Sequence, residues 1–168
     1  MLHETMVELL QRFDARVEPR FGGTTSGISG FPLTRTHWRA DLQGSVLLWE
    51  FRLSTGHVAR LEGRAPNGKR LSTGRRPLTP RDFLQFALAK RVLLPSLGVW
   101  VCYGPDWKRD WRVTARLCRP LRRGGLRNLG RSEDPVALRM AEEVFSGACP
   151  PEVLADYLQD VCAPTLRA

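Results

Sequence analysis

The residues best suited to chemistry in this sequence are cations set beside aromatic rings. Trp107-Lys-Arg-Asp-Trp111-Arg112 is followed by Arg116 and then by Arg119-Pro-Leu-Arg-Arg-Gly-Gly-Leu-Arg127-Asn-Leu-Gly-Arg131. Lys108, Arg109, Arg112, Arg116, Arg119, Arg122, Arg123, Arg127 and Arg131 place nine positive charges in 25 residues, opposed there by Asp110. Binding a nucleic acid needs cations at phosphate spacing, backbone that can approach closely and an aromatic face for a base. This segment has all three. Arg112 and Arg116, with Thr114 between them, share the polar face of a strand, and Gly124-Gly125 would let a loop follow a phosphate backbone. Trp107 is the stacking candidate, because Trp111 is expected on the inward face of the strand. The plain alternative is a solvated strand face followed by an Arg-rich surface loop.

Other constellations are weaker. Asp41, Glu50 and Arg52 fall on the polar faces of consecutive strands, loosely like a magnesium-dependent nuclease centre. Arg stands where such a centre has Lys. Gly63-Arg-Ala-Pro-Asn-Gly68-Lys69-Arg70 approaches a phosphate-loop pattern, but Arg70 occupies the position of the hydroxyl residue that reaches magnesium. Pro66-Asn67-Gly68 reads more simply as a hairpin turn. Cys102, Cys118, Cys149 and Cys162 lack the close spacing of a zinc site, and His3, His37 and His57 are scattered. Cys102 and Cys118 are expected to pack as small apolar residues on neighbouring strands. Ser26 and Ser29 sit among glycines without the elbow of a nucleophilic serine. No catalytic residue, metal or cofactor is assigned.

Composition frames these readings. The 168 residues carry a net charge of +9, which favours acidic partners. Three Lys against 23 Arg, and a single Ile, point to a GC-rich coding sequence, so part of the Arg excess is compositional. Its distribution is not. Outside Trp107–Arg131 the chain holds 17 basic and 16 acidic residues, and residues 132–168 hold seven acids and two Arg. The segment Val92–Tyr103 contains Pro95 and Gly98 and is too short to span a bilayer. With no secretory signal read at the N-terminus, the expected setting is cytoplasmic, with reduced thiols.

The elements that must position the basic segment follow from periodicity. Leu2, Met6, Leu9, Leu10, Phe13 and Val17 lie on one face of an amphipathic helix within residues 1–21. Gly22–Gly30 has four Gly in nine residues and breaks any regular pattern. Arg35–Leu42, Val46–Leu53 and His57–Gly63 alternate with period two, and Lys69–Leu71 is expected to return after the Asn67-Gly68 turn. Thr79-Pro80-Arg81-Asp82 starts a helix that is expected to run to about Leu93 and to bury Phe83, Phe86 and Ala87. Gly98–Tyr103 and Trp111–Cys118 form a hairpin around Gly104-Pro105-Asp106, and Arg119–Arg131 reads as a loose loop. Asp134-Pro135 opens a helix ending near Gly147, and Pro151 opens another with Leu154, Tyr157, Leu158 and Val161 on one face.

The sequence therefore predicts a single α+β domain over 1–168. An antiparallel meander and a hairpin lie in 31–131 with a central helix and the basic segment, packed with an N-terminal helix and an acidic helical tail over 132–168. The second tail helix carries Glu152, Asp156 and Asp160 and no base, so it would be repelled from a major groove, and a helix-turn-helix is rejected. The function ranked first is non-enzymatic binding of DNA or RNA. A protein-interaction or inhibitor module docking on an acidic partner surface comes second, and a magnesium-dependent nuclease third. The tail helices could also pair two copies of the chain. No membrane association is expected.

Overall fold

A computed structural model of the chain describes residues 2–19, 35–52, 57–122 and 126–166. They gather into two compact units, Met1–Leu88 and Ala89–Ala168, each with its own four-stranded antiparallel sheet. The architecture is α+β, as expected, but the meander and the hairpin belong to different sheets. Gly22–Gly30 lies outside the described residues.

In the first unit, helix α1 (Leu2–Arg12) buries Met6 and Leu10. It stops well before Val17. Asp14 takes a left-handed conformation (φ +63°), which an Asp tolerates, and the chain leaves as edge strand β1 (Arg16–Pro19). Pro19 suits an edge, where a missing N–H breaks no ladder. Strands β2 (Arg35–Leu42), β3 (Ser45–Arg52) and β4 (His57–Arg64) follow in sequence order. The two-residue turn Gln43-Gly44 has φ of +53° and +88°, the twist that a tight hairpin needs. Ala40, Leu42, Leu47, Trp49 and Phe51 are buried, as the period-two pattern requires. Trp38 and Trp49, directly opposed across the two strands, stack with ring centroids 6.2 Å apart.

The Pro66-Asn67-Gly68 turn forms as predicted, with Gly68 at φ +85° and the Asn67 side chain accepting from the Lys69 amide. The expected return strand shrinks to one bridge between Arg64 and Arg70. Helix α2 (Pro80–Leu88) starts where its capping residues dictate: the Thr79 hydroxyl accepts from the Asp82 amide and Asp82 accepts from the Thr79 amide. Phe83, Leu84 and Leu88 are buried, whereas Phe86 is exposed, contrary to expectation. The helix also ends earlier than its apolar content suggests, because Lys90–Leu94 is claimed by a strand.

That strand, β5 (Lys90–Leu94), begins the second unit. It pairs with β6 (Val99–Asp106) across a turn closed by Gly98 at φ +63°. Strand β7 (Arg112–Pro120) pairs with β6, and β8 (Leu126–Arg131) pairs with β7, so the stretch read as a loose loop supplies an edge strand. Helix α3 (Pro135–Ser146) begins with Asp134 accepting from the Val136 amide and ends at Gly147, φ +87°. Helix α4 (Pro151–Leu166) follows at once. Ala137, Ala141, Val144, Leu154 and Leu158 pack against Leu94, Val101, Tyr103 and Ala115. Both helices therefore cover one face of this sheet. The opposite face carries Arg91, Trp100, Cys102, Asp106, Arg112, Arg116 and Cys118, by strand alternation. Among the described residues no helix is long and apolar enough to cross a membrane.

Candidate nucleic-acid interface

The basic segment starts in the connection between β6 and β7. Trp107–Arg109 forms one 3-10 turn, capped by the Asp106 carboxylate, which accepts from the Lys108 amide at 3.0 Å. The Trp111 amide donates to the Asp106 carbonyl at 2.9 Å. Asp110 and Trp111 are both left-handed, with φ of +53° and +63°. Trp111 therefore belongs to the turn rather than to the inward face of the strand, which starts at Arg112. Trp107 is half-buried, and the Lys108 ammonium lies 5.6 Å from the centre of its ring.

Asp106 organises the middle of the segment. It is 1% exposed, and its Oδ2 accepts from one nitrogen each of Arg116 and Arg131, both at 2.7 Å. Arg116 and Arg131 stand directly opposite each other across β7 and β8. Two like charges so placed repel, and the shared carboxylate turns that repulsion into a bridge. Burial by itself would raise the Asp106 pKa. The Arg116 hydrogen bond, the Lys108 amide and the two guanidinium charges outweigh it and hold the carboxyl below its ordinary range. Much of the charge of Arg116 and Arg131 is thus engaged within the protein.

The other cations of the segment lie toward the ends of β7. Lys108, Arg109 and Arg112 are exposed at its start, where Arg109 makes a 3.7 Å solvent-exposed ion pair with Glu133. Arg119, Arg122 and Arg127 are exposed at its far end, and Arg123 lies outside the described residues. Arg119 and Arg127 are again directly opposed across β7 and β8. Unlike Arg116 and Arg131, they have no carboxylate within ion-pair distance among the described residues. Seven residues of strand separate Arg112 from Arg119, about 23 Å at a strand's rise. Seven is an odd separation, so Arg112 lies on the face opposite α3 and α4, and Arg119 on the other.

Two contributors on the face opposite α3 and α4 are hidden in the sequence. Trp100 is half-exposed, and the Arg91 guanidinium lies 5.5 Å from the centre of its ring. Burial alternates strictly from Val99 to Pro105, a pattern hidden because both sides of the strand are apolar in sequence. Arg91 is hidden because its strand reads as the end of a helix. Cys102 and Cys118 do lie on adjacent strands, as expected.

A further group of basic residues, Arg64, Lys69, Arg70, Arg75, Arg76 and Arg81, flanks the 66–68 turn and the start of α2, and acids hold two of them. Arg64 bonds Glu62 at 2.6 Å, and Arg76 forms a two-pronged bridge to the buried Asp82 with both bonds at 2.7 Å. A cleft of about 600 Å³ lies beside them, lined in part by Arg60, Arg70 and Arg76. The carboxylates weighed for a nuclease centre do not converge. Asp41 lies opposite Val46 and pairs with Arg39 at 3.5 Å. Glu50 lies opposite His37, four residues or about 13 Å further along the sheet. Among the described residues no group of three or more His, Cys, Asp or Glu could hold a metal ion. On α4, Glu152, Asp156 and Asp160 are exposed while Leu154 and Leu158 pack into the core.

Compared with protein-family models, curated proteins and solved structures, the chain matches none, so its functional reading rests on its own geometry.

Proposed function

We propose that this protein binds nucleic acid without catalysing a reaction, through the sheet of its second unit. Lys108, Arg109 and Arg112 contact phosphates at one end of β7, and Arg119, Arg122 and Arg127 at the other. Trp107 stacks on a base, and Trp100 with Arg91 offers a second flat surface on the face that carries Arg112. Arg116 and Arg131 lend field rather than direct bonds, since Asp106 engages both. The supporting observation is the directly opposed Arg119–Arg127 pair. An arriving phosphate relieves its repulsion, as Asp106 does for Arg116 and Arg131.

The test is binding of single- and double-stranded oligonucleotides across a salt series, comparing wild type with Arg119→Ala/Arg122→Ala/Arg127→Ala. Each lost phosphate contact should flatten the log–log salt dependence by about one unit. Unchanged binding at every salt concentration sinks the assignment. An acidic protein that co-purifies in stoichiometric amount, with no oligonucleotide bound, would favour the protein-docking alternative. Exposed Val153 and Val161 on α4 offer a surface for pairing two chains, which sedimentation of the purified protein would detect.

A further inference from the structure

In the first unit, β4 is an edge of the sheet. Its free side is paired only by the single bridge between Arg64 and Arg70. There the Leu71 amide donates to the Gly63 carbonyl at 2.8 Å, so the backbone groups of Gly63 point away from β3. Alternate residues of an antiparallel strand turn these groups to the same side, and no shift of register separates Gly63 from Leu61. The Leu61 N–H and C=O therefore face outward as well. Among the described residues nothing bonds either of them. Beyond Leu71 the pairing stops, and the cleft of about 600 Å³ is lined there by β4 and by residues from 70–78.

The two sides of this edge differ in chemistry. Leu61 stands opposite the buried Trp49 and Val58 opposite the buried Phe51, so both belong to the inner side of the sheet. A Cβ on Gly63 would meet Leu71 and Leu78, which places these two leucines on the inner side too. Arg60 and Glu62 alternate with Leu61 and lie on the outer side. Arg70 joins them there through its bridge to Arg64. Arg64 holds Glu62 at 2.6 Å, whereas Arg60 reaches it across 3.3 Å as an exposed pair. Arg70 is exposed and makes no ion pair among the described residues.

We propose that β4 is a docking edge for an extended acidic peptide of a partner protein, which joins the sheet as a fifth strand. The peptide backbone bonds the outward N–H and C=O of Leu61, and its side chains alternate between the two sides. Apolar side chains on the inner side meet Val58, Leu61, Leu71 and Leu78. Asp or Glu on the outer side meets Arg60 and Arg70. Charge selects the partner, because a basic strand set beside the same guanidinium groups is repelled. The opposite edge is less suited. Strand β1 has four residues and ends in Pro19, which has no N–H to donate. Nothing in this proposal depends on what the second sheet binds.

The test uses the full chain and a labelled, end-capped octapeptide of alternating Val and Glu, with binding read by fluorescence anisotropy. This peptide should bind, and its Val–Lys counterpart should not. Two further peptides are N-methylated at every Val or at every Glu. Only one of these sets of amides faces β4 in a paired strand, so one of the two peptides should bind about tenfold more weakly than the other. Arg60→Ala/Arg70→Ala should weaken binding of the unmodified peptide about fivefold, the size of two exposed charge contacts. Arg119→Ala/Arg122→Ala/Arg127→Ala, in the other unit, should leave peptide affinity unchanged. Hydrogen exchange at the Leu61 amide should slow when the peptide is bound. Absence of binding, equal affinity of the two methylated peptides, or a loss in the triple variant rather than the double one overturns the proposal.

Discussion

Each of the two units has a four-stranded antiparallel sheet and one buried aspartate held by arginine, yet the two ion pairs do different work. In the first unit Asp82 binds Arg76 six residues away and Thr79 three residues away, fixing a loop to the start of a helix. In the second, Asp106 binds Arg116 and Arg131, ten and 25 residues on, and so ties together three strands. The first is a local cap reinforced by a half-exposed guanidinium. The second neutralises a repulsion that the strand register itself creates. The same pair of residue types thus serves as punctuation in one place and as a tertiary joint in the other.

Substitutions at the two aspartates, and acid, would break or sharpen that contrast. The largest effect is expected from Asp106→Ala. It leaves two opposed guanidinium groups partly buried with no counter-charge, and loss of one side of a buried pair costs about 3–5 kcal/mol. Urea denaturation should show that loss, and Arg131→Met in the same background should recover part of it. Asp82→Ala should cost less, about 1–2 kcal/mol, because it removes a helix cap and a partner that is half in water. Equal losses at the two sites would erase the distinction drawn between them.

Acid is the gentlest probe. Both aspartates have pKa values lowered on folding, Asp82 through Arg76 and Thr79 acting against burial. A group with a depressed folded pKa stabilises the fold above its unfolded value, about 3.9 for Asp, and that contribution fades as pH falls through the folded value. Stability should therefore drop below about pH 4. Asp106→Asn should make that acid limb shallower, and a limb identical to wild type would show that the carboxylate does not carry the linkage.

What could be read in advance follows the range of the interactions. The starts of α2 and α3 are legible because Thr79, Asp82 and Asp134 cap the helices that they precede. The two faces of β2 and β3 are legible because alternation is a local property. Strand β5 is not, since Lys90–Leu94 has no pattern of its own and becomes a strand by pairing with β6. Strand β8 is hidden among Gly and Arg, and a bulge near Cys118 interrupts its pairing with β7. In the candidate site, the exposed cations of the segment follow from composition. The partners of Asp106 do not, because register sets Arg116 beside Arg131 but Asp106 opposite Arg112, and both guanidinium groups reach along the sheet to meet the carboxylate.

The span of that joint also bears on time. Asp106 cannot meet Arg131 until β7 has run its length and β8 has returned beside it, so a contact of this separation is expected to close late in folding. Interactions formed after the transition state leave the folding rate nearly untouched and act as a brake on unfolding. The carboxylate beneath the arginines would then govern how long the second sheet stays closed once formed, rather than how quickly it forms.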